Sequence, residues 1–323
     1  IVQGGMSIHF AASAARHVLL AEAAKLLQQD VAALSIVDGA VLRDGLDAEL
    51  DLWRLAETAD LDVPVLDHAA PRPPEARRVA GTSLPRIDIA ERVTGHPFVH
   101  DLEPDGLLHG RPVHPPAMSS RLVSLDLDGL KARPGVVAVV RDGSFVAVVA
   151  ETEYQAILAA RWAANRAEWS TDVSVPPDPV AAIGASDEAV EVVHSAGEDP
   201  AGCQGRVFET AVSRQYLSHA PIGPSAALAE WRDGHLTVWS HSQGAYPLRE
   251  ALETVFGVPA TDIDVIHHPG SGCYGHNGAD DVALDASLMA RAVPGRPVLV
   301  VWARADEFRS APLGAGMVTR VRA

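Results

Sequence analysis

The sequence predicts an α+β protein, on three observations. Residues 234 to 304 hold two strand-loop-helix units in tandem, residues 84 to 169 alternate strands with helices, and two proline-rich stretches, 64–86 and 171–205, divide the chain. At 323 residues the chain is long enough for about two domains. An apolar share of 47% with 21% charged residues is that of a chain able to bury a core.

The elements follow in order. Gly4-Gly5, an expected N-cap at Ser7 and the apolar set Val18, Leu19, Ala23, Leu26 and Leu27 predict a core helix ending near residue 30. Leu34 to Val41 and Leu50 to Leu52 predict a short hairpin around the turn dipeptide Asp38-Gly39. Pro64, Pro71, Pro73, Pro74 and Pro85 then favour an extended linker over 64–86. Beyond it, Val136 to Val140 and Phe145 to Ala150 flank the turn Asp142-Gly143, and Tyr154, Ile157, Leu158 and Trp162 mark one face of a helix. His96 and His100 are four apart, but Pro97 argues against a helix there, and a metal would need three or four ligands, so both read as strand or turn residues. The acidic stretch 171–202, with Pro176, Pro177, Pro179 and Pro200, predicts a second linker holding a short element near Ala189 to Val193, and a final domain starts around Arg206.

In the tandem units, Leu236 to Trp239 reads as a strand, and Leu248, Ala251, Leu252, Val255 and Phe256 recur at helical spacing after the loop Ser240-His241-Ser242-Gln243-Gly244. The strand Ile263 to Ile266 then leads through Pro269 to Gly275 into a helix opened by Asp280 and Asp281, whose carboxylates suit the positive end of a helix dipole.

These loops admit two readings from local pattern. Gly270-x-Gly272-x-x-Gly275 fits the glycine fingerprint of a dinucleotide site, but the acid expected about 20 residues on is missing, since positions around Gly295 read as a turn. Ser240-x-Ser242-x-Gly244 imitates the nucleophile elbow of a serine hydrolase, with Asp262 or Asp264 and His267 as partners. Those partners fall within about 25 residues of the serine, whereas in that fold they come from later strands.

Composition narrows the partners. Against 26 basic residues stand 42 acidic ones, a net charge of −16, which argues against nucleic acid or an anionic membrane surface. No run of 18 apolar residues exists, so no membrane-spanning helix is expected. Cys203 and Cys273 are too few for a disulfide framework or a four-thiolate iron-sulfur site, so any cluster has to come from another chain. No export signal follows Ile1, which gives a cytoplasmic expectation and leaves a periplasmic one open if the N-terminus is incomplete.

Four segments between Tyr216 and Met317 carry a family resemblance: YLSHAPIGPSAALA, LTVWSHSQGAYPLREAL, GSGCYGHNGADDVALDA and ARAVPGRPVLVVWARADEF. They resemble the molybdopterin-binding large subunit of the xanthine dehydrogenase and aldehyde oxidase family, above all its branch of isoquinoline 1-oxidoreductase beta subunits and nicotinate dehydrogenases. Residues 87–170 resemble that family's a/b hammerhead domain. Residues 1–63 look like an N-terminal part of the molybdopterin-binding region, and 206–323 like the first half of the molybdopterin-binding domain. The resemblance implies a molybdenum-molybdopterin cofactor, in the cytosine dinucleotide form for this branch. It also implies a small partner subunit with two-iron two-sulfur clusters, and hydroxylation of an N-heteroaromatic or aldehyde carbon with oxygen from water.

By the same resemblance Gln243 hydrogen-bonds an oxygen ligand of molybdenum through its amide, while Gly272, Cys273, Tyr274 and Gly275 form the glycine-rich loop beside it. Cys273 is implied as a pocket wall rather than a ligand, and no protein atom as a direct metal ligand. His219, Ile222, Pro224 and Asn277 fall in the substrate pocket. Asn277 replaces a glutamate of xanthine-oxidising members and Gly223 an acidic residue of many relatives, so xanthine is not the expected substrate. The run around Ser310 also departs from the family pattern. The catalytic base glutamate is expected beyond Ala323, so the resemblance implies a chain truncated at both ends, another chain supplying the missing parts, or a catalytically incomplete fragment or interaction subunit.

Overall fold

The computed structural model describes residues 2–64, 69–171, 176–185, 193–197, 205–275 and 282–323. Residues 189–192 of the short element expected in the second linker, and Asp280 and Asp281, lie outside them, and Val193 has no regular structure. Contacts divide the chain into two compact units, Ile1–Ile89 and Ala90–Ala323.

The first unit opens with α1 (Val2–Leu27). It begins ahead of the expected cap at Ser7 and runs through Gly4 and Gly5. Each glycine costs about 1 kcal/mol relative to Ala, but extending a helix already nucleated among alanines and leucines needs only one hydrogen bond per residue. Strands β1 (Leu34–Val37), β2 (Ala40–Arg43) and β3 (Leu46–Asp51) form an antiparallel sheet in that order. The expected hairpin is therefore a three-stranded meander. Its second turn, Asp44-Gly45, has φ of 50° and 81°, like Asp38-Gly39 at 48° and 86°, the left-handed geometry a two-residue hairpin turn requires. A short helix α2 (Leu52–Ala56) follows, capped by Asp51, whose carboxylate accepts from Arg54 N at 2.8 Å. Ala23 of α1 packs with Leu34, Ile36, Val41, Leu50 and Leu55, while Met6, Ile8 and Phe10 at the other end of the helix are exposed.

Helix α3 (Ile89–Val93) leads into the second unit and a single 3-10 turn at Val99–Asp101. Then come β4 (Leu108–Pro112), β5 (Arg121–Ser124), α4 (Leu127–Lys131), β6 (Val136–Asp142), β7 (Phe145–Ala150), α5 (Glu153–Ala164), β8 (Glu168–Ser170) and α6 (Pro179–Gly184). The final part supplies β9 (Glu209–Arg214), β10 (Ala226–Arg232), β11 (His235–Ser240), α7 (Ala245–Phe256), β12 (Ile263–His267), α8 (Val282–Arg291), β13 (Val298–Val301), α9 (Arg304–Ser310) and β14 (Met317–Arg322). Seven of these strands form one sheet in the order β12-β11-β10-β13-β4-β7-β6, so strands from both sides of residues 171–205 share it. Two-stranded ribbons β5-β8 and β9-β14 complete the strand inventory of the described residues in this unit.

The sheet is covered on both faces, which is why β7 reads as an unbroken apolar run rather than an alternation. Its Ala147 and Val149 enter the core with α8 and β10, while Val146 and Val148 face the opposite cluster with Leu130, Ala159 and Ala163. Helix α5 corrects the expected apolar face. Ala156, Ala159 and Ala163 are the buried residues, whereas Tyr154 and Leu158 are 69% and 46% exposed. Small side chains let the helix approach the sheet closely, and Trp162 lies against the guanidinium groups of Arg133 and Arg166. Helix α7 ends where Gly257 takes φ of 66°, a left-handed stop that glycine adopts without steric cost. Among the described residues no helix is long and apolar enough to cross a membrane.

Candidate functional site

Strand register decides where the loops meet. Ala227 pairs with Ser240, Ala226 with Val301, Ser240 with His267, and Val300 with Gly110. The start of β10 and the ends of β11, β12, β13 and β4 therefore lie at one edge, and the loops 219–225, 240–244 and 267–275 emerge together. In open sheets a crevice outside the carboxyl ends of strands is where ligands bind.

Glycines let these loops touch. A Cβ on Gly270 would come within 2.6 Å of the His241 ring, one on Gly223 within 3.0 Å of His100 Nε2 and into Ser271 Oγ, and one on Gly275 within 3.7 Å of His219 Nε2. His219 is thus brought beside the glycine-rich loop. Gly272 and Gly275 take φ of 122° and 110°, and Tyr274 takes 60°. Glycine reaches such angles freely, so the loop fits the tight conformation its sequence implies.

Buried polar groups fix the loop bases. His241 is 4% exposed, and its Nε2 accepts from Ala226 N at 3.1 Å. Ser240 Oγ accepts from Ser242 N at 3.2 Å, Ser242 Oγ from Gly244 N at 3.1 Å, and His267 Nδ1 donates to Ser242 O at 3.0 Å. His267 thus contacts the backbone of Ser242 rather than its hydroxyl, and the elbow reading lacks its nucleophile-base bond. Gln243 is exposed, and no side chain caps α7, so it does not serve as that helix's cap.

The turn at 99–101 braces two of the loops. Val99 N donates to Pro269 O at 2.8 Å, His100 Nε2 donates to Pro224 O at 2.6 Å, and His268 Nε2 donates to Pro97 O at 3.1 Å. His100 Nδ1 and Ser271 Oγ are buried with no hydrogen-bond partner among the described residues. Burial pulls the His268 imidazole below its ordinary value, against the raising effect of the Pro97 carbonyl.

A second clamp holds the loop before β10. Glu307, 1% exposed, accepts from Ser225 N at 2.8 Å and from Ser225 Oγ at 3.2 Å, and pairs with Arg304. Arg304 also donates to the carbonyls of Pro221 and Ile222. A buried carboxylate is tolerated only when so bonded.

The structure thus gathers His219, Pro224, Gln243, Gly272, Cys273, Tyr274 and Gly275 at one sheet edge. Ile222 points outward at 83% exposure and Tyr274 at 62%. Cys273 is half-buried, and its Sγ accepts from Gly275 N at 3.4 Å. Asn277 lies outside the described residues. Sequence reasoning read His100 only as a strand or turn residue, and it gave no role to His241, Ser271, Arg304 and Glu307. The sole signals were His241 two residues before Gln243 and the i, i+3 spacing of Arg304 and Glu307. Among the described residues no three His, Cys, Asp or Glu side chains come together to hold a metal ion.

Comparison with known proteins gives this edge its context. Residues 191–323 match the family described as "Molybdopterin cofactor-binding domain". One subunit of the nicotinate dehydrogenase of Pseudomonas putida is 34% identical over 96% of the chain, which spans 27% of that protein's length. Quinoline 2-oxidoreductase from Pseudomonas putida 86 superposes with a TM-score of 0.61 at 22% identity, over 75% of this chain and 37% of that one. Aldehyde oxidoreductase from Desulfovibrio gigas gives 0.61 at 20% identity, over 74% and 32%. The chain is thus similar in sequence to a nicotinate dehydrogenase subunit and in fold to these oxidoreductases, and its residues 191–323 match the molybdopterin cofactor-binding domain family.

Proposed function

We propose that this chain holds the molybdopterin cofactor of a molybdenum hydroxylase acting on an N-heteroaromatic or aldehyde carbon. The observation that carries the reading is the meeting of the loops bearing His219, Gln243 and Gly272 to Gly275 at one sheet edge. The relative at 34% identity is named for nicotinate, which favours a nitrogen heterocycle over an aldehyde.

The residues present suit an anionic, oxygen-rich group. Left-handed backbone at Gly272, Tyr274 and Gly275 can turn successive N–H groups toward one anion. Ser271 Oγ, buried with no hydrogen-bond partner among the described residues, is a donor still to be used. Gln243, exposed at the loop tip, offers an amide NH2 that can donate to an oxygen ligand. When bound, the cofactor supplies two-electron redox chemistry and Lewis acidity. The chain's own part is orientation. The bonds of His100 to Pro224 and of Glu307 to Ser225 hold the 221–225 loop against the glycine-rich loop, so that the pocket residues His219 and Pro224 face the cofactor edge. Cys273 serves as wall, Ile222 and Asn277 as further pocket residues, and the proton-accepting glutamate comes from outside these residues.

The cytosine dinucleotide form of the cofactor, and a partner subunit carrying two-iron two-sulfur clusters, complete the reading. With two cysteines the chain itself cannot ligate such a cluster.

The test is molybdenum and acid-released CMP per chain, measured on protein co-expressed with its flanking genes and purified anaerobically. Near-stoichiometric amounts of both are expected, and Gln243→Ala is expected to slow hydroxylation by about 10- to 100-fold, the usual effect of losing a group that orients a metal's ligands. Folded, partner-bound protein free of both would instead mark a catalytically incomplete chain.

A further inference from the structure

The first compact unit holds a pocket of about 260 Å³ between α1 and the tail that follows Ala69, and cations dominate its lining. His9, Ala12, Ser13 and Arg16 lie at i, i+3, i+4 and i+7, one face of the helix. Ser13 Oγ donates to Ala70 O at 2.7 Å, which lays the tail against α1. Pro73 then leads into a single 3-10 turn at Pro74–Ala76, and Arg77 Nε donates back to Arg72 O at 3.1 Å. The turn brings Arg72, Arg77 and Arg78 to the pocket that Arg16 enters from the helix.

Four guanidinium groups thus share one pocket with no carboxylate in its lining, in a chain whose net charge is −16. None of the four makes an ion pair among the described residues. Arg16 donates one N–H to Ile36 O at 3.1 Å, and Arg77 uses only its Nε in the turn. Arg16 is half-buried. Burial first, and then the charge of Arg72, pull its guanidinium below the ordinary value, so these two cations oppose each other. Like charges gathered without a counter-charge are destabilising, and a bound anion removes that cost.

We propose that this pocket binds a small multivalent phosphate of the diphosphate class, gripped by Arg16, Arg72, Arg77 and Arg78. Guanidinium forks match phosphate oxygens with paired N–H groups. A phosphate monoester, at about −1.5 to −2, would offset no more than half of the four positive charges, which favours the diphosphate. No amide, carboxylate or Phe, Tyr or Trp ring lines the pocket, so nothing there is placed to recognise a base, and the anion itself is the ligand. It fastens the tail 71–80 to α1, and it uses none of the residues proposed to hold the cofactor.

The experiment is isothermal titration of the cofactor-free chain with inorganic diphosphate and with cytidine diphosphate, so its outcome is independent of the molybdenum reading. One diphosphate per chain is expected, with the nucleotide binding no tighter. The Arg72→Gln/Arg78→Gln double variant alters only exposed side chains that make no side-chain hydrogen bond to a described residue, and it is expected to bind diphosphate at least about tenfold more weakly. Limited trypsin digestion of the wild type supplies a second readout. At ten times the Kd, diphosphate is expected to slow cleavage after Arg77 and Arg78 by about tenfold. Cleavage after Arg86, which pairs with Asp88 and does not line the pocket, is expected to be unchanged. Absence of saturable diphosphate binding, undiminished binding by the double variant, or equal slowing at Arg78 and Arg86 would overturn the proposal. So would cytidine diphosphate binding tenfold more tightly than diphosphate, which would make the pocket a nucleotide site.

Discussion

His114 shows how one buried side chain ties stability to pH. Burial penalises its imidazolium form, so its folded pKa lies below the ordinary value of 6.5; Asp306 nearby acts to raise it and Arg309 to lower it further. Below 6.5 the unfolded chain takes up a proton that the folded chain refuses. By linkage the stabilising contribution is present above that value and is lost as pH falls toward the depressed folded one. The melting temperature of the wild type is therefore expected to fall more than that of His114→Gln between about pH 7.5 and about pH 5.5. Parallel pH curves for the two proteins would rule this out. The same scale separates what was legible from what was not. The residues Gln243 and Gly272 to Gly275 are picked out by the family resemblance of the segments that hold them, whereas His100 and Glu307 are ordinary in sequence. They become structural only because Pro224 and Ser225 arrive beside them from more than 80 positions away.

At the scale of elements, the packing of β4 under α8 depends on one missing side chain. A Cβ on Gly110 would meet Met289 Sδ, Val300 Cγ2 at 2.8 Å and Val298 Cγ1 at 3.1 Å. The methionine end can swing aside, but the branched valines are fixed by their own strand. Gly110→Ala gains about 0.4–1 kcal/mol from a stiffer unfolded chain, and overpacking costs about 1–3 kcal/mol. The cost wins, and a lower urea midpoint with an unchanged slope is expected. Element type followed from local pattern for β6, β7, β11, α7 and β12, where apolar period and turn dipeptides agree. It failed for the facing of α5, because alanine carries little weight in an apolar stripe yet is what a closely packed helix presents to a sheet. It also missed the second turn of the meander and so the start of β3, although Asp44-Gly45 carries the same turn signal as Asp38-Gly39.

At the scale of the whole molecule, the contacts fall into two units that meet in sequence at Ile89 and Ala90. Just before that point, Arg77, Arg78 and Arg86 are exposed, and only local bonds hold the backbone around them. Limited trypsin digestion is expected to cut after these arginines and leave a resistant fragment that starts near residue 79 or 87, read by mass spectrometry. Early cleavage spread through 108–171 instead would show that the second unit is not the more stable one.

By itself the sequence determined the α+β class, the identity of most strands and helices, the shortage of cysteines for a cluster within this chain, and the resemblance to molybdopterin-binding subunits. Each of these depends on composition, period or contiguous motif. Only the tertiary structure decided that strands from both sides of residues 171–205 share one sheet, that three loops meet at its edge, and that α9 and Pro224 of the 221–225 loop line one charged cavity. Those facts rest on strand register and on contacts between residues far apart in the chain. A local pattern does not encode which distant strand a given strand will pair with.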